Sequence, residues 1–202
     1  MLEVLKSSRF LFIFPDKNQT TSNKSYQEIA SFATMFPIEV YLVDIKWKKH
    51  KSLLECMLEA TQKVQDLVDE LKPTETYFFG YGIGAMVAAE MGYIYRANGI
   101  LLCSMPPLFE EELSNLSWFQ RFKGKRKIYG AKDHTAYPNP VINSRTVFLQ
   151  VERERKLLNK ISEIRKKTFS NSLEIFIPKI RKGLSRKKYL TAVKEELKKI
   201  IC

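Results

Sequence analysis

Long apolar segments are missing from this 202-residue sequence, and so are internal repeats and low-complexity stretches. The longest uninterrupted apolar run covers the five residues 10–14. A helix that crosses a bilayer needs roughly 18 to 20 such residues, so no membrane span is predicted. Because the chain is 45% hydrophobic, it can bury a core. The composition therefore excludes a disordered or collagen-like protein and predicts one compact domain over residues 1–202.

Cysteine is scarce, and no secretory leader is predicted. Cys56, Cys103 and Cys202 are widely separated and form no C-x-x-C pair. This odd number argues against a disulfide framework and against a thiolate zinc site. The first residues also lack a small-residue cleavage site, so the mature protein is expected to start at Met1. These features predict a cytoplasmic protein in a reducing compartment.

Histidine is the scarcest residue that could carry chemistry. The sequence holds only His50 and His134, and it has no H-E-x-x-H motif and no clustered carboxylates at metal-ligand spacing. His50 lies in a basic segment typical of a surface loop. We therefore predict no metal site and no cofactor.

Positive charge is abundant but unevenly distributed. The formal net charge is +12, with Lys+Arg 34 against Asp+Glu 22. Residues 151–202 hold 16 Lys and Arg against 6 Asp and Glu, a net charge of +10, and the first 150 residues carry only +2. A basic protein of this kind raises the question of nucleic acid or another anionic partner.

Apolar runs and helical periodicities alternate along the chain. Solid apolar or β-branched runs predict strands, and apolar residues at three- and four-residue spacing predict helices. The predicted strands are 9–15, 39–45, 76–79, 98–105, 127–129 and 173–177. The predicted helices are 26–34, capped by Ser25, then 53–71, 85–93, 108–122, a charge-dense stretch over 143–168, and 187–201. Helices that alternate with apolar strands predict an α/β protein with a parallel sheet covered on both faces.

The segment 76–89, TYFFGYGIGAMVAA, is the most informative motif. A strand that breaks into glycines and then into a small-residue helix fits a dinucleotide-binding turn or a G-x-S-x-G nucleophile elbow with Gly82 at its centre. A dinucleotide turn belongs to the first strand and requires an acid at the end of the next one. Two strands precede this motif, and the next strand ends in Cys103, Ser104 and Met105. The context therefore favours the elbow.

With this elbow the sequence resembles the α/β-hydrolase superfamily, over nearly the whole chain. A long helix precedes the elbow, and a strand that ends in small residues and prolines follows it, then a reduced cap helix, then a strand ending in Gly130-Ala131-Lys132-Asp133. The resemblance implies an α/β-hydrolase-like three-layer sandwich with a mostly parallel central sheet. It also implies that Asp133 stands at the place of the triad acid and that the loop after Phe14 helps to form the oxyanion hole.

The catalytic residues of that family are largely missing. Gly82 has no side chain to acylate, and the segment 178–185, where the family's histidine should follow the last strand, contains none. Pro15 has no N–H to donate to an oxyanion, and Asp16 would place negative charge beside one. We therefore predict a catalytically degenerate protein, a pseudoenzyme that binds a small molecule or a partner.

The predicted binding residues line the carboxyl ends of the strands, under the helix 108–122. They are Tyr81, Gly82, Ile83, Pro15, Asp16 and Trp118. An alternative is an esterase or thioesterase with a rearranged catalytic site, in which Ser104 or Cys103 is the nucleophile and His134 and Asp133 assist it.

A third alternative is an anion or nucleic-acid binder. Lys and Arg residues of 153–167 alternate with acids and apolar residues, which is typical of an amphipathic helix with a solvated basic face. A second basic cluster, over 179–188, lies where the histidine is missing. Few aromatics are interleaved, which disfavours nucleic acid and leaves a small acyl or anionic ligand as the expected partner. The sequence predicts no oligomeric state.

Overall fold

The central sheet has six strands in the part of the chain that the structure describes. That structure is a computed structural model, and it describes residues 9–17, 19–47, 51, 53–107, 112, 141–179 and 183–202. The strands are β1 (Arg9–Phe14), β2 (Glu39–Leu42), β3 (Glu75–Tyr81), β4 (Gly99–Cys103), β5 (Arg145–Val151) and β6 (Ser172–Ile177). They are arranged in the order β2-β1-β3-β4-β5-β6, and every neighbouring pair is parallel.

Six helices and one 3-10 turn surround this sheet among the described residues. They are α1 (Lys24–Ala33), α2 (Leu53–Leu71), α3 (Gly84–Ile94), the 3-10 turn Glu152–Glu154, α4 (Arg155–Leu158), α5 (Ser162–Thr168) and α6 (Lys187–Ile201). Asn23, not the predicted Ser25, caps α1, because its side-chain oxygen accepts the Ser25 N–H at 3.1 Å. None of these helices combines the length and hydropathy of a membrane-crossing segment.

Strand side chains alternate between two buried layers. Phe10, Phe12 and Phe14 of β1 pack in the layer that holds residues of α2 and α3. Leu11 and Ile13 point the other way, into the layer that holds residues of α1 and α6. Because both faces of the sheet are covered, the inner strands β1, β3 and β4 consist mostly of buried apolar residues. The predicted α/β three-layer sandwich is thus confirmed, and the sheet is parallel at every described pair.

Three predictions about the C-terminal half need correction or lie outside the described residues. The stretch 143–168 was predicted to be helical, but Arg145–Val151 forms β5, which pairs with β4 on one side and β6 on the other. The predicted strand 127–129 lies outside the described residues, as does the predicted cap helix 108–122 apart from Glu112.

Arg165 of α5 is also not part of a solvated basic face. Its side chain is only 1% exposed, and its Nε donates to Glu112 Oε1 at 2.7 Å. Its Nη2 donates to the Met105 carbonyl at 3.2 Å, and the guanidinium lies 4.8 Å from the ring centre of Phe148. A buried cation is tolerated because the carboxylate and the carbonyl replace its water. This pair links α5 to the segment after β4.

We expect Arg165→Met to destabilise the fold by about 3–5 kcal/mol, because it removes the cation that is buried against the Glu112 carboxylate. Lys166→Met is the matched control, since the neighbouring Lys166 is exposed and pairs with the exposed Glu163. Urea denaturation measures both. A similar loss for the two variants would contradict the assigned role of Arg165.

Candidate functional site

The carboxyl ends of the parallel strands bring Pro15, Asp16 and residues 81–83 of the predicted binding site to one edge of the sheet. Phe14 at the end of β1 pairs with Gly80, and Tyr81 at the end of β3 pairs with Cys103. The loops that begin at Pro15, Gly82 and Ser104 therefore leave the sheet side by side. Such an edge is where open α/β sheets bind their ligands.

The turn between β3 and α3 has the shape of a nucleophile elbow. Gly82 has a φ of +59°, a conformation that L residues rarely adopt, and α3 begins two residues later. A Cβ on Gly80 would lie 2.4 Å from the Cα of Ala85, and one on Gly84 would lie 2.4 Å from the carbonyl oxygen of Phe14. These two positions require glycine because strand and helix approach so closely. The elbow is therefore retained with glycine at its centre.

The carboxylate of Asp16 lies where a side chain at residue 82 would begin. A Cβ added to Gly82 would lie 2.2 Å from Asp16 Oδ1. The same oxygen accepts the Ile83 N–H at 2.7 Å. In the hydrolase elbow, the N–H after the nucleophile is one of the two oxyanion-hole donors. In this chain that donor is occupied by a carboxylate of the chain itself.

The loop after β1 has no spare N–H at its start. Pro15 has none, and the Asp16 N–H donates to the Tyr26 hydroxyl at 3.0 Å. That hydroxyl donates in turn to Gln19 Oε1, and burial raises the pKa of Tyr26, so the phenol stays protonated. The hydrogen bonds from α1 and the loop thus hold Asp16 against the elbow.

Ser104 lies in a buried hydroxyl cluster under the same edge. Its φ is +48°, and its Oγ is 2.9 Å from the Tyr189 hydroxyl. Tyr189 donates to the Leu149 carbonyl at 2.8 Å, and burial raises its pKa. The hydrogen-bonded Ser104 is almost completely buried, so its oxygen is not presented to the cleft. The strained φ fits a strand end at a functional edge, but the contacts are those of a packed core.

Cys103 is a poor nucleophile in this environment. Its side chain is fully buried at the end of β4, and burial raises the pKa of its thiol. Because only the thiolate attacks, a raised pKa lowers reactivity at neutral pH. The geometry weighs against Cys103 as a nucleophile in the rearranged enzyme.

The structure describes most of the predicted binding residues. Pro15, Tyr81 and Ile83 are buried, and Asp16 is partly exposed. Gly82 forms the turn itself. Asp133, His134 and Trp118 lie outside the described residues, so their predicted roles remain predictions. Across the described ranges no group of three His, Cys, Asp or Glu side chains is placed to bind a metal ion.

Glu154 is a residue of this edge that sequence reasoning missed. It lies three residues after the end of β5, the strand that pairs with β4, and it is partly buried. Burial raises the pKa of Tyr81 most, and the charges of Asp16 and Glu154 raise it further. The strand signal in Thr146, Val147 and Phe148 could have identified it.

Basic residues surround the same edge on the side of β6. Arg186, Lys187 and Lys188 are exposed at the start of α6, which follows the end of β6. Lys188 Nζ donates to the Pro178 carbonyl at 3.2 Å. The same edge of the sheet therefore carries the Asp16 carboxylate in the loop after β1 and exposed cations on the side of β6.

Comparisons with solved structures agree with this geometry. An esterase from Pyrococcus furiosus superposes with a TM-score of 0.64 at 14% identity, over 96% of this chain and 83% of that one. MenH from S. aureus gives a TM-score of 0.65 at 14% identity, over 98% of this chain and 96% of that one. MGS-MChE2, an alpha/beta hydrolase enzyme from a lagoon-sediment metagenome, gives a TM-score of 0.64 at 11% identity. The match covers 95% of this chain and 91% of that one.

These likenesses show that the chain has the α/β-hydrolase fold, and at such low identity they show the fold alone. No protein-family sequence model matches the chain, and no curated protein matches it. The chemistry of this cleft must therefore be argued from its own residues.

Because Asp16 lies against Gly82, we expect substitutions at these two residues to have non-additive effects on the free energy of unfolding. Gly82→Ala should cost about 1–2 kcal/mol in backbone strain, and its methyl group should also displace Asp16 from the Ile83 N–H. Asp16→Ala removes that hydrogen bond alone, at about 1 kcal/mol. The double variant should therefore be no less stable than Gly82→Ala. The summed losses in free energy of unfolding of the two single variants should exceed the loss of the double variant by about 1 kcal/mol.

Asp44→Ala provides the control for this cycle, because the Asp44 carboxylate accepts a different backbone N–H, that of Thr21, at 2.9 Å. Combined with Gly82→Ala, it should be additive. Urea denaturation of all five variants measures the coupling. If the effects of Asp16→Ala and Gly82→Ala were also additive, the Asp16 carboxylate would not occupy the elbow.

Thiol labelling should separate the three cysteines. In the native protein at pH 8, iodoacetamide should modify the exposed Cys202 rapidly and leave the buried Cys56 and Cys103 unmodified. The raised pKa of Cys103 keeps its thiol protonated at that pH. Mass spectrometry of the labelled peptides, before and after denaturation, reads the result. Equal labelling rates for Cys103 and Cys202 would restore Cys103 as a candidate nucleophile.

Proposed function

We propose that this protein is a catalytically inactive protein of the α/β-hydrolase fold that binds a small ligand at the cleft above Gly82. The observation that carries the proposal is the 2.7 Å hydrogen bond from the Ile83 N–H to Asp16 Oδ1. Acyl transfer needs a nucleophile and a donor that stabilises the developing oxyanion. At this elbow the Asp16 carboxylate lies where the nucleophile's side chain would begin, and it occupies the Ile83 N–H donor.

The charge of Asp16 opposes ester hydrolysis in a second way. An oxyanion that formed beside it would meet a negative charge in a partly enclosed place, where the repulsion is larger than in bulk water. The carboxylate also competes with any substrate carbonyl for the Ile83 N–H. Replacing Gly82 by serine would therefore not restore hydrolysis while Asp16 stays there.

No imidazole is available from the expected segment, because residues 178–185 contain no histidine. A serine nucleophile at neutral pH needs such a base to take its proton. Glu154 follows β5 on the same edge, and in a Ser-His-Asp triad a carboxylate acts by orienting the histidine. These losses support a binding role over a chemical one.

The charge pattern suggests how a ligand would be oriented. Asp16 at the floor favours a hydrogen-bond donor, and Arg186, Lys187 and Lys188 at the rim favour an anionic group. A small acyl compound with a negatively charged end fits this pattern when its charge stays at the rim. Such a ligand could be either a small metabolite or a modified group on a partner molecule.

The catalytic half of the proposal is tested with a fluorophosphonate probe, which reacts covalently with any activated serine, together with p-nitrophenyl butyrate and a butyryl thioester. We expect no labelling and no turnover above the rate of the heat-denatured protein. Asp16→Ala and the double variant Gly82→Ser with Asp16→Ala should be inactive as well, since both lack the base.

Labelling of Ser104, or saturable hydrolysis that is lost in His134→Ala, would contradict the proposal and establish the rearranged enzyme instead. The binding half is tested with octanoate, a chain with one anionic end. Its affinity should fall severalfold in Arg186→Ala and with added salt, while Lys160→Ala, a change at another exposed cation, should leave it unchanged. Absence of octanoate binding, or equal loss in both variants, would count against the proposed rim.

A further inference from the structure

A second cavity lies at the opposite edge of the sheet. Its volume is about 510 Å³, and its walls are the C-terminal end of α3 and residues 141–144, which lead into β5. α3 begins at the elbow and runs back along the sheet, so its end lies beside the first residues of the strands. The volume is within the range of roughly 300–1,000 Å³ that small-molecule sites have. This cavity is separate from the cleft above Gly82, and the inference does not rest on the proposed function.

Backbone hydrogen bonds fix both walls of the cavity. At the end of α3, the Ala97 N–H donates to the Gly92 carbonyl at 3.1 Å, which closes the helix with Arg96 at a φ of +48°. On the other wall, the Ile142 N–H donates to the Thr168 carbonyl at 2.6 Å. Ser144 Oγ lies 3.5 Å from the Gly92 carbonyl and joins the two walls. The cavity is therefore a preformed feature of the fold.

Arg96 holds a backbone position that favours glycine. A positive φ is unfavourable for a residue with a Cβ, and helices commonly place glycine at this point. The arginine side chain is exposed, and it makes no hydrogen bond or ion pair with any residue in the described ranges. Its guanidinium is therefore available to a ligand from outside the chain.

The rest of the lining fits an aromatic anion. Among the described residues that line the cavity, none is acidic. Asn143 Oδ1 accepts from Ser170 Oγ at 2.7 Å, which leaves the Asn143 amide NH₂ as a second donor. Tyr93 and Val141 are 49% and 60% exposed, an unusual amount of apolar surface beside one cavity. Guanidinium and amide donors match a carboxylate, and the tyrosine ring matches a flat apolar body.

We propose that the cavity between the end of α3 and residues 141–144 binds a small aromatic carboxylate, whose anion pairs with Arg96 and whose ring packs against Tyr93 and Val141.

The test uses 2-naphthoate as the probe and the full-length protein, with affinity measured by isothermal titration calorimetry. Arg96→Gly should weaken binding at least tenfold. This variant is expected to fold, because glycine adopts the positive φ at that position without strain. Lys72→Gly is the matched control, since Lys72 follows α2 with a φ of +49° and does not line the cavity. Its affinity for 2-naphthoate should equal that of the unmodified protein.

Two further measurements test whether the negative charge of the probe is needed and whether the probe binds in this cavity. Neutral 2-naphthol should bind at least tenfold more weakly than 2-naphthoate, and Asp16→Ala should leave 2-naphthoate binding unchanged because Asp16 belongs to the other edge. Equal affinity of Arg96→Gly and the unmodified protein would overturn the proposal, and so would no binding at millimolar 2-naphthoate. Loss of binding in Asp16→Ala would place the anion in the cleft and overturn it as well.

Discussion

The cleft of this protein depends on the hydrogen bond between the Ile83 N–H and Asp16 Oδ1. Ile83 follows Gly82 in the turn, and Asp16 follows the end of β1, so the bond joins two loops that leave neighbouring strands. Its acceptor lies where a nucleophile's side chain would otherwise begin. A carboxylate can occupy this place only because Gly82 has no Cβ. The absence of a side chain at residue 82 and the presence of an acid at residue 16 are therefore two parts of one arrangement.

The rest of the fold presents these loops to each other. The parallel pairing of β1 with β3 sets the two loops side by side, and the close approaches at Gly80 and Gly84 set the direction of α3. On the other face, α1 carries Tyr26, whose hydroxyl accepts the Asp16 N–H. The turn keeps the backbone shape of a nucleophile elbow, and the Asp16 carboxylate at its centre accepts the Ile83 N–H.

Much of the architecture could be predicted because it is encoded in local periodicity. The predicted helices 53–71 and 187–201 have the bounds of α2 and α6, since their apolar residues recur at helical spacing. β5 was missed because charged residues follow it closely and dominate the window, although Thr146, Val147 and Phe148 are typical of a strand. Arg165 was assigned to solvent because its sequence neighbours are charged, and its partner Glu112 lies 53 residues away.

The details of the cleft depend on contacts between residues that are far apart in the sequence. The sequence places an acid in the loop after β1, but the pairing of Asp16 with Ile83, 67 residues away, depends on the backbone at Gly82. The most direct test of the account is a through-hydrogen-bond scalar coupling, measured by NMR, between the Ile83 amide nitrogen and the Asp16 side-chain carboxyl carbon. The account predicts a detectable coupling and an Ile83 amide that exchanges slowly with solvent. A missing coupling together with rapid exchange of that amide would contradict it.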